Sequence, residues 1–228
     1  MENCLHKLKI FKYGFTLAEV LITLVIIGVI AALTIPTAIN NYRKQVYVSG
    51  LKKVYAELSQ ATNRIISEEG NPKASIGGWA LSSEHIYQMY KKYLIKAKEC
   101  SNETRCLLAD KSMVYEKLHG GNYWTADRTD TRKLILADGT YMVIDSDVSS
   151  TCGRNLNPVA NDYCTWIGVD INGAKGPNTL GRDFFIFVLR ENGVFPLGCD
   201  IGDYCDGVND NRGLGCACKV LTEGAMNY

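Results

Sequence analysis

The first 70 residues carry two hydrophobic patterns, one after the other. From Phe15 to Ile35 the chain runs 21 residues with a single charged group, Glu19. As a helix rising about 1.5 Å per residue, that run is roughly 30 Å long, the thickness of a bilayer's hydrocarbon core. It is apolar all round, as a membrane span is. Pro36 then removes a backbone donor and crowds the preceding turn, which predicts a kink. Beyond it the pattern becomes one-sided. Tyr47, Leu51, Val54, Leu58, Ala61 and Ile65 recur at spacings of 4, 3, 4, 3 and 4, while Lys52, Lys53, Glu57, Gln60 and Arg64 fall off that stripe. Helical spacing of this kind predicts a seam packed against the protein's own domain. A single helix is therefore expected from Phe15 to about Glu69, ended by Gly70-Asn71-Pro72. Gly50 is expected to cost that helix some stability.

The rest of the chain alternates shorter signals. Residues 73–81 read as a loop around Gly77-Gly78-Trp79. Ser82 or Ser83 can cap a helix over about 84–98, where Ile86, Met89, Tyr90, Tyr93, Leu94 and Ala97 recur at helical spacing. Residues 107–119 read as a further short helix. Lys133 to Ala137 and Thr140 to Ile144, joined by Asp138-Gly139, predict a hairpin. Thr165 to Ile171 is a third strand. Asp183 to Leu189 and Val194 to Pro196, joined by Glu191-Asn192-Gly193, form another pair. The tail from Gly198, rich in Gly, Asp, Asn and Cys, is expected to be a stapled loop region with little regular structure. A long helix laid on an antiparallel sheet is an α+β fold. No repeat or long linker divides it, so one ectodomain is expected.

Composition narrows the class. The chain has 228 residues, 46% hydrophobic and 21% charged, with a net charge of +1. That suits an anchored domain of ordinary size, and no basic stripe with interleaved aromatics points to nucleic acid. Of nine cysteines, Cys4 precedes the apolar run and eight follow it: Cys100, Cys106, Cys152, Cys164, Cys199, Cys205, Cys216 and Cys218. An even set in one region predicts disulfides in an oxidising space. Zinc is the rival reading, but there is no C-x-x-C, and only His85 and His119 accompany the cysteines. Lys7, Lys9 and Lys12 flank one end of the apolar run, and Arg43, Lys44, Lys52 and Lys53 the other, so charge alone does not orient it. The cysteines place the C-terminal part outside. Of the 105 connectivities open to eight cysteines, short loops favour Cys100 with Cys106 and Cys152 with Cys164. Cys199 with Cys218 and Cys205 with Cys216 would then staple the tail.

No enzyme motif is present: no G-x-S-x-G, no H-E-x-x-H and no phosphate loop. His85 and His119 are isolated and read as surface or packing residues. Asn102-Glu103-Thr104 fits a glycosylation sequon. One other segment has chemical character, Asp170 to Asn178 with Asp183 after it. Side-chain oxygens alternating beside glycine are what a calcium loop uses, with Asp170, Asn172, Asn178 and Asp183 as candidate ligands. The twelve-residue EF-hand pattern is not met, and Lys175 brings a positive charge. An ordinary Asp/Asn/Gly turn between strands is the preferred reading of this segment, with calcium as the alternative. Asp200, Asp203, Asp206 and Asp210 form a second acidic candidate.

Gly14-Phe15-Thr16-Leu17-Ala18-Glu19, leading into the apolar run, resembles the N-terminus of type IV prepilins and type II secretion pseudopilins. The likeness covers roughly residues 7–66. It implies a prepilin leader at 1–14, a transmembrane and assembly helix at 15–35 and an extracytoplasmic pilin-like domain at 36–228. It also implies that a prepilin peptidase cuts between Gly14 and Phe15, and that Phe15 is then N-methylated. Gly28 and Pro36 match the glycine and proline between which the family's helix loosens in a filament. A carboxylate such as Glu19 costs about 2.5–3.5 kcal/mol at the centre of a membrane span. In an assembled filament, pairing with the new N-terminal ammonium of a neighbour would offset that cost. Sibling pilin or pseudopilin subunits, an assembly ATPase and an inner-membrane platform are the implied partners. The implied location is the inner membrane, N-terminus inside, and then an envelope or surface filament. Major pseudopilins often carry calcium in the part of the domain that holds Asp170. By this resemblance the chain is a structural subunit and not an enzyme. A signal-anchored binding or adhesion ectodomain that never polymerises is the alternative.

Overall fold

The computed structural model describes residues 14–70, 83–101, 106–107, 113–125, 128–145, 154–156, 160–199, 205–206 and 212–228. It divides into two units, residues 1–43 and 44–228. Helix α1 (Leu17–Glu69) begins after Gly14–Thr16, which have no regular secondary structure, and in the first unit it remains helical through Pro36. Its apolar side chains there are exposed, and the helix is long and apolar enough to cross a membrane. Polar groups inside the apolar run are satisfied locally. Thr23 and Thr34 donate their hydroxyls to the carbonyls of Val20 and Ile30, each at 2.9 Å, the arrangement a lipid environment demands.

In the second unit the predicted stripe is the buried one. Val48, Leu51, Val54, Leu58, Ala61, Thr62 and Ile65 turn inward, with Tyr47 half-buried beside them. Helix α2 (Ser83–Tyr93) contributes Ile86, Tyr87, Met89 and Tyr90 to the same core. The main sheet is antiparallel and six-stranded. Its strands are β1 (Lys96–Ser101), β4 (Thr131–Leu136), β5 (Tyr141–Asp145), β8 (Thr165–Asp170), β9 (Phe184–Arg190) and β10 (Gly193–Pro196), neighbouring in that order. Strand periodicity sends alternate residues to opposite faces. Leu134, Met142, Ile144, Ile167, Val169 and Phe187 share one core with α1 and α2, and Tyr55 stacks on Phe187 at 5.7 Å. Each such side chain, fully buried, contributes about 1.5–3 kcal/mol. Tyr141, Val143, Phe184, Ile186 and Val188 form a second core on the opposite face. That core also takes Tyr115 and Trp124 from the small hairpin of β2 (Val114–Glu116) and β3 (Asn122–Thr125). A third hairpin joins β6 (Arg154–Leu156) to β7 (Ala160–Tyr163).

Three expectations are corrected. The helix expected over 84–98 stops at Tyr93, and Lys96–Ser101 is instead the edge strand β1 paired with β4. Apolar spacing continues past Tyr93, but strand pairing with β4 and the Cys100–Cys106 bridge win over local periodicity. The short helix expected within 107–119 is not seen in its described part, where Val114–Glu116 is a strand. Tyr115 there is drawn inward to stack on Phe184 at 4.0 Å. The tail is more regular than expected: α3 (Cys216–Glu223) closes on Gly224 at φ 68°, the left-handed conformation that glycine supplies at helix ends. Cys216, Ala217 and Val220 form its buried face.

The structure joins Cys100 to Cys106, Cys199 to Cys218 and Cys205 to Cys216, with Cα atoms 5.7, 5.2 and 4.7 Å apart. Cys164 is also disulfide-bonded. Its expected partner Cys152 lies outside the described residues, as do Cys4, the loop at 73–81 and Asn102-Glu103-Thr104.

Candidate functional site

Two places concentrate the sequence's chemistry. The first is Gly14–Glu19. Gly14, Phe15 and Thr16 precede the helix and are exposed, Phe15 at 86%. The helix starts at the next residue, and the start is chemically defined. Glu19 Oε2 accepts the Thr16 N–H at 2.8 Å and the Thr16 hydroxyl at 2.7 Å, and the Glu19 N–H donates back to Thr16 Oγ1 at 3.3 Å. This reciprocal Thr-x-x-Glu pair is a capping box, which satisfies amides that no helical carbonyl reaches. Thr16 is a residue that the sequence analysis missed. Its signal was present: threonine, then glutamate three residues on, ahead of an apolar run. The pair also shelters the Glu19 carboxylate at the positive end of the helix dipole. Gly28 lies mid-helix, facing open space, and Pro36 is likewise internal to α1.

The second place is the connection from β8 to β9. It brings Asp170, Asn172, Asn178 and Asp183 into one loop. Both aspartates are fully buried. The Tyr115 hydroxyl donates to Asp170 Oδ2 at 2.9 Å, and the Asn172 N–H to Oδ1 at 3.2 Å. Asp183 accepts the N–H groups of Asn178 and Thr179 at 2.8 and 2.7 Å. Burial pushes the Asp170 carboxyl well above the usual carboxylate range, and the Asp183 charge pushes it further. Burial also raises Asp183, against the amides it accepts. Burial, with Asp170 next, raises Tyr115. Asn172 Nδ2 reaches the Gly176 carbonyl at 3.3 Å and the Tyr47 hydroxyl at 3.4 Å. The Oδ1 atoms of Asn172 and Asn178 are buried without a hydrogen-bond partner, a state that costs roughly 1–3 kcal/mol per group.

The loop is fastened to α1. Ile171 lies against Gly50 so closely that a Cβ there would sit 2.3 Å from Ile171 Cγ2. Gly50 thus has a packing reason that the sequence did not reveal. Lys175 is exposed. Two carboxylates and two orphaned amide oxygens are a hard-oxygen donor set that fits calcium. Backbone carbonyls and water would have to complete its about six to eight ligands. Among the described residues, no three of His, Cys, Asp and Glu gather into a metal-binding group. His85 and His119 are exposed, on α2 and in the turn after β2, and Asp206 is exposed too. Asp200, Asp203 and Asp210 lie outside the described residues.

No curated protein and no solved structure matches the chain. Residues 11–35 match the family model described as the prokaryotic N-terminal methylation motif, and this segment therefore carries the signature of type IV prepilin-like proteins.

Proposed function

We propose that the protein is a prepilin-like structural subunit. On this reading a prepilin peptidase cuts it between Gly14 and Phe15 and methylates the new N-terminus. The subunit then joins sibling subunits in a type IV pilus or secretion pseudopilus, through an inner-membrane platform. The observation that carries the reading is the methylation motif, whose cleavable bond lies in an exposed segment one residue before a capped apolar helix. After cleavage, Phe15 bears an ammonium, and Glu19 of a neighbouring copy is the carboxylate placed to neutralise it in an apolar filament core. Residues 36–228 then lie outside the cytoplasm, where disulfides persist. Two substitutions test this. Gly14→Val is expected to leave uncut precursor in the inner membrane, and mass spectrometry finding normal N-methyl-Phe15 would overturn it. Glu19→Ala is expected to be cut and inserted yet absent from sheared filaments. Wild-type amounts of it there would remove the pairing role and favour a signal-anchored ectodomain.

We propose further that the β8–β9 loop holds a calcium ion through Asp170, Asp183, Asn172 and Asn178. The orphaned amide oxygens beside two buried carboxylates support this. The cation would supply the positive charge that offsets both carboxylates. Millimolar calcium is expected to raise the melting temperature of the full-length chain over that in chelator, since a ligand bound only by the folded state stabilises it. No shift would leave the segment an ordinary turn.

A further inference from the structure

The β8–β9 loop has a second property, independent of its oxygens: it grips α1. Ile171 sits between Asp170 and Asn172 in the chain, and it occupies a notch in the helix that exists because residue 50 has no side chain. Asn172, a proposed ligand, also contacts the Tyr47 hydroxyl one turn away. The base of the loop is closed by the Ile171 N–H donating to the Asp183 carbonyl at 2.9 Å. No cysteine lies between residues 170 and 184, so closure depends on non-covalent groups alone.

We infer that the loop is a calcium-controlled latch on α1. Resting on the calcium reading above, the inference is that bound calcium seats Ile171 in the Gly50 notch, and that occupancy sets how firmly residues 47–54 of α1 are held. Residues that touch both the ion and the helix make the coupling reciprocal: whatever loosens the notch must weaken the ion, and the converse.

The test uses the full-length chain in detergent micelles, with calcium chloride against chelator. Calcium affinity is read by titration, and the α1 contact by amide hydrogen exchange over residues 47–54. Opening that releases the ion is suppressed by the factor 1 + [L]/Kd, so exchange is expected to slow about tenfold at free calcium ten times Kd. Ile171→Ala keeps every proposed ligand. It is expected to bind calcium more weakly than the wild type, and at saturating calcium its exchange over 47–54 no longer responds. Gly50→Ala pushes Ile171 out of its seat and is expected to weaken calcium binding about tenfold. A wild-type chain that binds calcium without slower exchange overturns the latch and leaves the calcium site standing. So does an Ile171→Ala chain that slows as the wild type does. A wild-type chain that takes up no calcium overturns both. Should either variant fail to fold, the other still decides, since one reads the response of the helix and the other the affinity of the ion.

Discussion

At the scale of single residues, the Thr16–Glu19 pair changes how the acidic residue in the apolar run is understood. Glu19 is not a bare carboxylate: it accepts two hydrogen bonds from Thr16. The cost of an acidic group in an apolar segment is thereby partly offset within one chain, before any neighbour is present. Thr16→Val removes the hydroxyl and should cost about 0.5–2 kcal/mol at the helix start, as lost caps do. The expected readout is faster amide exchange at residues 17–20 in micelles. Unchanged exchange would mean that the cap contributes nothing to the helix. Gly50 shows the opposite relation of sequence to structure. By propensity alone it is a cost of about 1 kcal/mol to α1, but the Ile171 side chain fills the space its missing Cβ leaves.

At the scale of elements, the strongest periodicities placed α1, β4, β5, β8, β9 and β10, and weak ones misled. Asp138-Gly139 did mark a turn, with Gly139 at φ 90°, the positive region a hairpin turn calls for. Lys53 on α1 ties that turn down through Asp138 at 2.6 Å. The two staples expected in the tail are present, but its helix was not legible because α3 is eight residues long, too short to be stable alone. It holds because two disulfides tie it to the preceding loop. They close loops with sequence separations of 19 and 11. Replacing Cys205 and Cys216 together by alanine should cost on the order of 2–4 kcal/mol. Denaturant unfolding of the full chain should show a lower midpoint. An unmoved midpoint would mean that the bridge does not constrain the tail.

At the scale of the whole molecule, the buried aspartates predict an unusual pH response. An Asp carboxyl in the unfolded chain titrates near about 3.9. Asp170 is held well above that by burial and by Asp183, so the folded chain binds the proton more tightly than the unfolded one. Stability from this group is therefore fully present below about pH 4 and is lost as pH rises towards the raised folded value. Glu84, lowered by hydrogen bonds from Gln88 and Arg132, and Asp138, which Lys53 and the Thr140 amide draw down against its burial, act in the opposite sense. The comparison must therefore be with a variant. In chelator, the wild-type melting temperature should fall between pH 4 and pH 7 relative to that of Asp170→Asn. A constant gap across that range would show that the carboxyl is not perturbed.

What the sequence determined by itself is what local pattern controls. A run of 21 residues with a single charged group makes a span-length helix wherever it sits. A strict 4-3-4-3 stripe chooses the buried face of α1, and alternating strands around Asp-Gly choose a hairpin. The tertiary structure decided whatever depends on residues far apart in the chain. It turned residues 96–101 into an edge strand through pairing with β4. It gave Tyr115 its place against Phe184 and Asp170. Among the described residues it realised three of the expected cysteine pairs, because a bridge forms only where Cα atoms come within about 7 Å. It also made Gly50 a seat for Ile171, a contact between positions 121 residues apart. No window along the chain contains both, so periodicity and propensity are silent about it.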